Sequence, residues 1–116
     1  MIHTPIIFNI PKKLSSNDIY SGVHYRTRNG HKNLYRKVLF TAPIVTDYPV
    51  DIHYIFYLQR RLDSTNLGYM AKLIEDCIVE KGVLIDDSPR YVRRTIMESV
   101  QYKNGDYCEI KITKAE

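Results

Sequence analysis

The chain has 116 residues, 44% of them hydrophobic, and a formal charge of +4. That length accommodates one domain and leaves little room for a second. No stretch approaches the ~20 apolar residues of a membrane span, and Met1–Ile10 lacks the basic and apolar regions of a signal peptide. These features predict a cytosolic protein of one domain over residues 1–116, with no membrane partner. A chain this short buries a modest core, which a dimer would supplement.

The first strand is expected over 2–10, where Ile2, Ile6, Phe8 and Ile10 alternate with other residues; Pro5 favours an edge position or a late start. Pro11–Gly30 is polar and tyrosine-rich and reads as a long ordered loop. Lys32–Thr41 suits a short helix, ended by Pro43. Val50, Ile52, Tyr54, Phe56 and Leu58 alternate and predict a second strand. The clearest helix is 65–81, with Leu67, Met70, Ala71, Ile74 and Ile78, and roughly Cys77, on one face. Asp63 or Ser64 is placed to cap its start, and Gly82 lies just past its end. A poorly patterned strand follows at 91–102. Asn104-Gly105 carries the hairpin signal, and Cys108, Ile110 and Ile112 alternate in a last strand. The expected fold is α+β, a mixed or antiparallel sheet of about four strands with two helices. Cys77 and Cys108 read as buried small hydrophobes, with no metal-binding spacing of their own.

Charge is unevenly spread. Residues 11–40 hold seven basic side chains (Lys12, Lys13, Arg26, Arg28, Lys32, Arg36, Lys37) against Asp18 alone. Residues 63–87 hold Asp63, Glu75, Asp76, Glu80, Asp86 and Asp87 against Lys72 and Lys81. Arg60-Arg61 precede this acidic island, and Arg90, Arg93 and Arg94 follow it. A basic surface attracts polyanions, whereas an acidic island within it repels phosphate unless a cation sits there. That combination suits a metal-dependent enzyme acting on nucleic acid. It is also compatible with a mildly basic surface bearing solvated lysines.

On the expected helix, Thr65, Tyr69, Lys72 and Asp76 fall opposite the apolar face. Asp63 precedes it and Asp86-Asp87 follow Gly82, so carboxylates flank both ends. They meet only if a strand folds back alongside. Hard cations such as Mg²⁺ take carboxylate oxygens, and a lysine can stabilise charge growing on a phosphate. The plain alternative is a capping aspartate, a solvated lysine and an acidic turn. His24 and His31 fall in the basic loop, placed equally for phosphate contact or solvation. His53 reads as a surface or satisfied strand histidine. Tyr20, Tyr25 and Tyr69 are the tyrosines best placed to stack on bases, while Tyr54, Tyr57 and Tyr107 suit half-buried sheet positions. There is no nucleophilic triad pattern and no glycine-rich phosphate loop.

The run Arg60-Arg61-Leu62-Asp63-Ser64-Thr65-Asn66-Leu67, then Lys72, Asp76 and Gly82-Val83-Leu84-Ile85-Asp86-Asp87-Ser88-Pro89, resembles the core signature of the RusA-type Holliday junction resolvases. That signature is D-x-D-N-L, a lysine within the next turns, an aspartate one turn later, then G-[VI]-x-x-D-D-[SA]. Ile10-Pro11-Lys12 through Arg26 is similar to the family's opening segment. The resemblance implies a homodimeric, Mg²⁺-dependent (Mn²⁺ also serving) endodeoxyribonuclease that cuts four-way DNA junctions, encoded by a bacterium or phage. It implies Asp63, Lys72 and Asp87 as catalytic residues, and Asp63, Asp86 and Asp87 as metal ligands, with Asp76 nearby. Lys12, Lys13, Arg26, Arg28, Arg60, Arg61, Arg90 and Arg93 would contact DNA, with Arg94 beside them. Thr65 departs from the pattern by standing where the family has its second aspartate. Either Asp86 or Asp76 supplies the missing oxygen, or the metal is held weakly, or the chain binds junctions without cutting them. A small structural or regulatory protein is the third class of reading.

Overall fold

The computed structural model describes residues 5–15, 25–38 and 44–115, apart from the side chains of Tyr25, Arg26, Val38, Ser64 and Thr65. The chain forms β1 (Ile6–Asn9), α1 (Tyr25–Val38), β2 (Val50–Leu58), a 3₁₀ turn (Ser64–Leu67), α2 (Gly68–Glu80), β3 (Val92–Gln101) and β4 (Tyr107–Lys114). This is an α+β fold with two helices and one four-stranded mixed sheet, in the order β1-β4-β2-β3.

β2 lies next to β4 in the interior of the sheet, with β4 antiparallel on one side and β3 parallel on the other. Its central position explains a burial that alternation alone does not require, since both Tyr54 and Ile55 are buried. Ile52, Tyr54 and Phe56 stand level with Ile112, Ile110 and Cys108, and Phe8 of β1 joins the row. These side chains form the core with Met70, Ile74, Cys77 and Ile78 of α2 and Tyr35 of α1. Burying each such apolar side chain contributes about 1.5–3 kcal/mol, and so pins α2 across the sheet. The α2 C-terminus closes as expected. Gly82 adopts φ +78°, the Gly82 N–H donates to the Val79 carbonyl and the Val83 N–H to that of Ile78. A left-handed residue of this kind after a helix favours glycine.

Three expectations need correction. The segment read as a loop up to Gly30 is helical from Tyr25, and Lys32 lies inside α1 rather than at its start. His31 is not a solvated loop residue; it is buried, with Nδ1 2.9 Å from the Tyr69 hydroxyl oxygen. The Asn104-Gly105 pair does not join a hairpin, because β3 and β4 flank opposite sides of β2. The connection passes over the end of β2 and is fastened there. The Gln59 N–H donates to Asp106 at 2.9 Å, Gln59 Nε2 donates to the Lys103 carbonyl, and the Tyr102 N–H donates to the Leu58 carbonyl. The expected strand start at Ile2, the helix end at 39–41, and Tyr20 and His24 lie outside the described residues. Among the described residues no helix is long and apolar enough to cross a membrane.

Candidate functional site

The carboxylates flanking α2 fall into two pockets with no lining residue in common. The first is an open cleft of about 350 Å³ lined by Lys32, Lys72, Asp76, Val79, Glu80, Asp86 and Asp87. It continues into a second hollow beneath α1, where Arg28, Asn29 and Lys32 face Tyr69, Lys72 and Asp76. The sequence dictates this placement. Lys72 and Asp76 are one turn apart on the flank of α2, and the Gly82 turn folds Asp86-Asp87 back along the same helix.

Lys72 is the hub of the cleft. Its Nζ lies 3.0 Å from Asp87 Oδ2 and 3.1 Å from Asp76 Oδ1. The Asp87 N–H also donates to Asp86 Oδ1 at 2.8 Å, which fixes the two neighbouring carboxylates relative to each other. The hydrogen bond from Lys72, against a partial burial cost, holds the Asp87 carboxyl below the usual aspartate range. The bonds to Asp87 and Asp76 push the Lys72 ammonium up, so it stays charged at neutral pH. Below them Glu75 accepts a hydrogen bond from the buried Tyr54 hydroxyl at 3.1 Å. Burial is the main cause that raises the Glu75 carboxyl, with the charges of Asp87 and Asp76 adding to it. In the sequence Glu75 stands only as part of the acidic island. The signal for it is its place at the border of the α2 apolar face, three residues after Lys72. The rim is braced by Glu80, which Arg36, followed by Lys32, holds down to about 2. Arg36 Nε lies 2.7 Å and Lys32 Nζ 2.9 Å from its carboxylate.

Asp63 is not in this cleft. It lines the second pocket, of about 530 Å³, with Arg61, Leu62, Glu98 and Ser99. Its carbonyl receives the Asn66 N–H, but its side chain makes no capping hydrogen bond; the side chain of Ser64, the other expected cap, lies outside the described residues. The Ser99 hydroxyl donates to the Leu62 carbonyl at 2.7 Å and holds this segment to β3.

The basic residues are also dispersed. Lys12, Lys13, Arg28, Arg60, Arg61 and Arg90 are exposed, but only Arg28 borders the cleft. Arg90 sits 5.7 Å over the Tyr91 ring. Arg93 reaches the buried Asp51 through Nε at 3.0 Å and through a second guanidinium nitrogen, and it holds the Asp51 carboxyl down. Arg94 stands 3.5 Å from the same carboxylate. Tyr69, expected on the open side of α2, is buried against His31. Tyr57, Tyr102 and Tyr107 instead form a ring cluster on the sheet, with Tyr57 and Tyr107 stacked at 4.3 Å. The side chains of Arg26 and Thr65 lie outside the described residues.

Among the described residues, no group of three or more histidine, cysteine, aspartate or glutamate side chains is disposed to hold a metal ion. The set Asp63, Asp86 and Asp87 therefore does not fit as a closed Mg²⁺ site. The adjacent pair Asp86 and Asp87 fits a looser one, because Mg²⁺ is commonly held by one or two carboxylates with water filling the remaining positions. Against known proteins, no family model matches this chain and no curated protein matches it.

Proposed function

We propose that this chain is a structure-selective endodeoxyribonuclease of the RusA resolvase type, acting on four-way DNA junctions as a homodimer. What supports the reading is the convergence of Lys72 on Asp87 and Asp76, beside Asp86, in a cleft whose other wall carries Arg28 and Lys32. Cations on one wall attract the phosphodiester backbone, and the acidic floor keeps a phosphate from settling there without a further positive charge. Lys72 is already charged, so it offers its N–H groups to a phosphate oxygen without first taking up a proton. When DNA enters, its phosphate competes with Asp87 and Asp76 for that ammonium, and the carboxylates so released face the scissile group. Asp86 and Asp87 would hold Mg²⁺ or Mn²⁺, whose chemistry when bound is Lewis-acid polarisation of a phosphoryl oxygen.

The test is incubation of the protein with a labelled four-way junction and a matched linear duplex, in Mg²⁺, in Mn²⁺ and in EDTA. Paired nicks in the junction alone, lost in EDTA, are expected. Equal binding to both DNAs with no product would contradict the proposal.

A second reading is favoured by the separate lodging of Asp63 and by the threonine at position 65. It makes the chain a junction-binding protein that does not cut. Tight, metal-independent junction binding without product in either metal would select it.

A further inference from the structure

The sheet ends on two unlike edges. β1 has four residues, whereas β3 has ten and, among the described residues, pairs with β2 alone. Among the described residues, no backbone hydrogen bond outside the regular elements involves positions 93–101. Arg93, Arg94, Thr95, Ile96 and Glu98 are exposed. A long edge strand with free backbone groups is a template for another strand. Its alternation can be followed from its end. Tyr102 turns its N–H to Leu58 of β2, so along a regular strand Val100, Glu98, Ile96 and Arg94 do likewise, while Met97 and Thr95 turn theirs outward.

Arg94, Ile96 and Glu98 lie on the sheet face away from the helices, level with Asp51, His53 and Ile55. Along this row the charge changes sign about Ile96, and that pattern selects both a partner and a register. We propose that a second copy of this chain docks antiparallel along β3 with the two-fold axis at Ile96. Ile96 then meets the partner subunit's Ile96, and each Arg94 lies opposite the partner subunit's Glu98. Directly opposed unlike charges stabilise an antiparallel pair and like charges destabilise it. Centring the axis on Arg94 or Glu98 would oppose that charge to itself; centring on Ile96 gives two ion pairs. Arg94 is available for this, because Arg93 already forks onto Asp51 at closer range, and Glu98, whose Oε1 lies 2.6 Å from His53 Nε2 on the same face, is half exposed and has its second carboxylate oxygen for the partner. Ile96 is the one large apolar side chain between the two charges, and it is 36% exposed.

The product is a continuous eight-stranded sheet. The axis runs normal to it, so both helical layers, and with them both Lys72 clefts, lie on the same face. The inference names the surface of the proposed dimer. It rests on the junction reading for the use of the dimer, not for its existence, so the two can fail separately.

Sedimentation equilibrium on the intact chain, from low micromolar to several hundred micromolar, tests it without DNA. The wild type is expected to dimerise. Arg94→Glu should weaken dimerisation by roughly tenfold or more, since it places two like-charged pairs at the joint. Glu98→Arg should do the same, and the double swap Arg94→Glu/Glu98→Arg should restore it. If a swap proves unfolded by circular dichroism, Ile96→Cys decides the matter. It should form a disulfide-linked dimer under mild oxidation much faster than Ile85→Cys, a still more exposed position outside the strand. A wild type that stays monomeric throughout, single swaps that dimerise as well as wild type, a double swap that fails to recover, or equal cross-linking at 85 and 96 would each overturn the proposal.

Discussion

The Lys72 cleft and the Asp63 pocket hold similar residues yet are built differently. In the cleft, every carboxylate hangs from α2 or from the turn that Gly82 folds back onto it, and a single ammonium ties Asp76 and Asp87 together. In the pocket, Asp63 is exposed on the segment between β2 and the 3₁₀ turn, and the nearby hydrogen bonds join Ser99 to the Leu62 carbonyl and to the Arg61 guanidinium. The cleft therefore has an electrostatic centre with a cationic wall. The pocket has an arginine, two carboxylates and a structural latch. A charged cluster is equipped for chemistry when its groups are fixed by a packed element and by one another, more than by how many acids it contains.

That contrast can be broken or sharpened by substitution. The largest effect is expected at Lys72. Lys72→Ala should lower the junction cutting rate by about 10²–10³-fold, the range seen when one electrostatic donor to a reacting group is removed. It should also flatten the salt dependence of binding by about one unit of slope. Gel-resolved single-turnover cleavage and a salt titration check the two parts.

The foundations should differ next. Ile74, fully buried under the cleft on α2, should cost about 2–5 kcal/mol when changed to Ala, measured by urea unfolding. At the pocket, Ser99→Ala should cost about 1 kcal/mol, the usual net worth of one hydrogen bond, and leave cutting intact. A Ser99→Ala variant that folds normally but cuts poorly would bring the pocket into the active site.

The smallest effect is on the pH dependence of stability. The Asp87 carboxyl is held down by Lys72, so its contribution is present above the ordinary aspartate pKa of ~3.9 and is lost as pH falls through its lower folded value. The Lys72 ammonium is pushed up, so its contribution is present below the ordinary lysine pKa of ~10.4 and is lost as pH rises through its higher folded value. Lys72→Met should lower the melting temperature slightly across the neutral region, where both contributions are present, and leave the acid and alkaline extremes little changed, so that both flanks flatten. No change on either flank would mean that the ion pair is absent in solution.

The sequence made some of this architecture legible and hid the rest for identifiable reasons. β2 and α2 declared themselves because their periods, two and 3.6, are local and their buried faces are continuous. The early start of α1 was hidden because its first turns carry Tyr25, Thr27, Arg28, Asn29 and Gly30, which make no apolar stripe; the helix is anchored later, by His31 and Tyr35. The hairpin expectation failed because Asn-Gly reports on a local turn. What sends β4 across to the far side of β2 is the fastening of Gln59 to Asp106 and Lys103, which are over forty residues away in sequence. The grouping of Lys72, Asp76, Asp86 and Asp87 was readable from helical spacing and one glycine. The side of the molecule on which Asp63 lies was not, because it depends on how the 59–67 segment packs on β3. Arg93 read as a surface cation because nothing local reveals Asp51, its partner across the parallel β2–β3 pair.

The most direct test compares junction cutting by Asp87→Asn and Asp63→Asn in the same assay, with DNA binding measured for both. Asp87→Asn should abolish cutting while sparing or strengthening binding, because a negative charge beside the phosphate is removed, and Asp63→Asn should cut within a few-fold of wild type. Normal cutting by Asp87→Asn, or equal loss in both variants, would contradict the assignment of the chemistry to the Lys72 cleft alone.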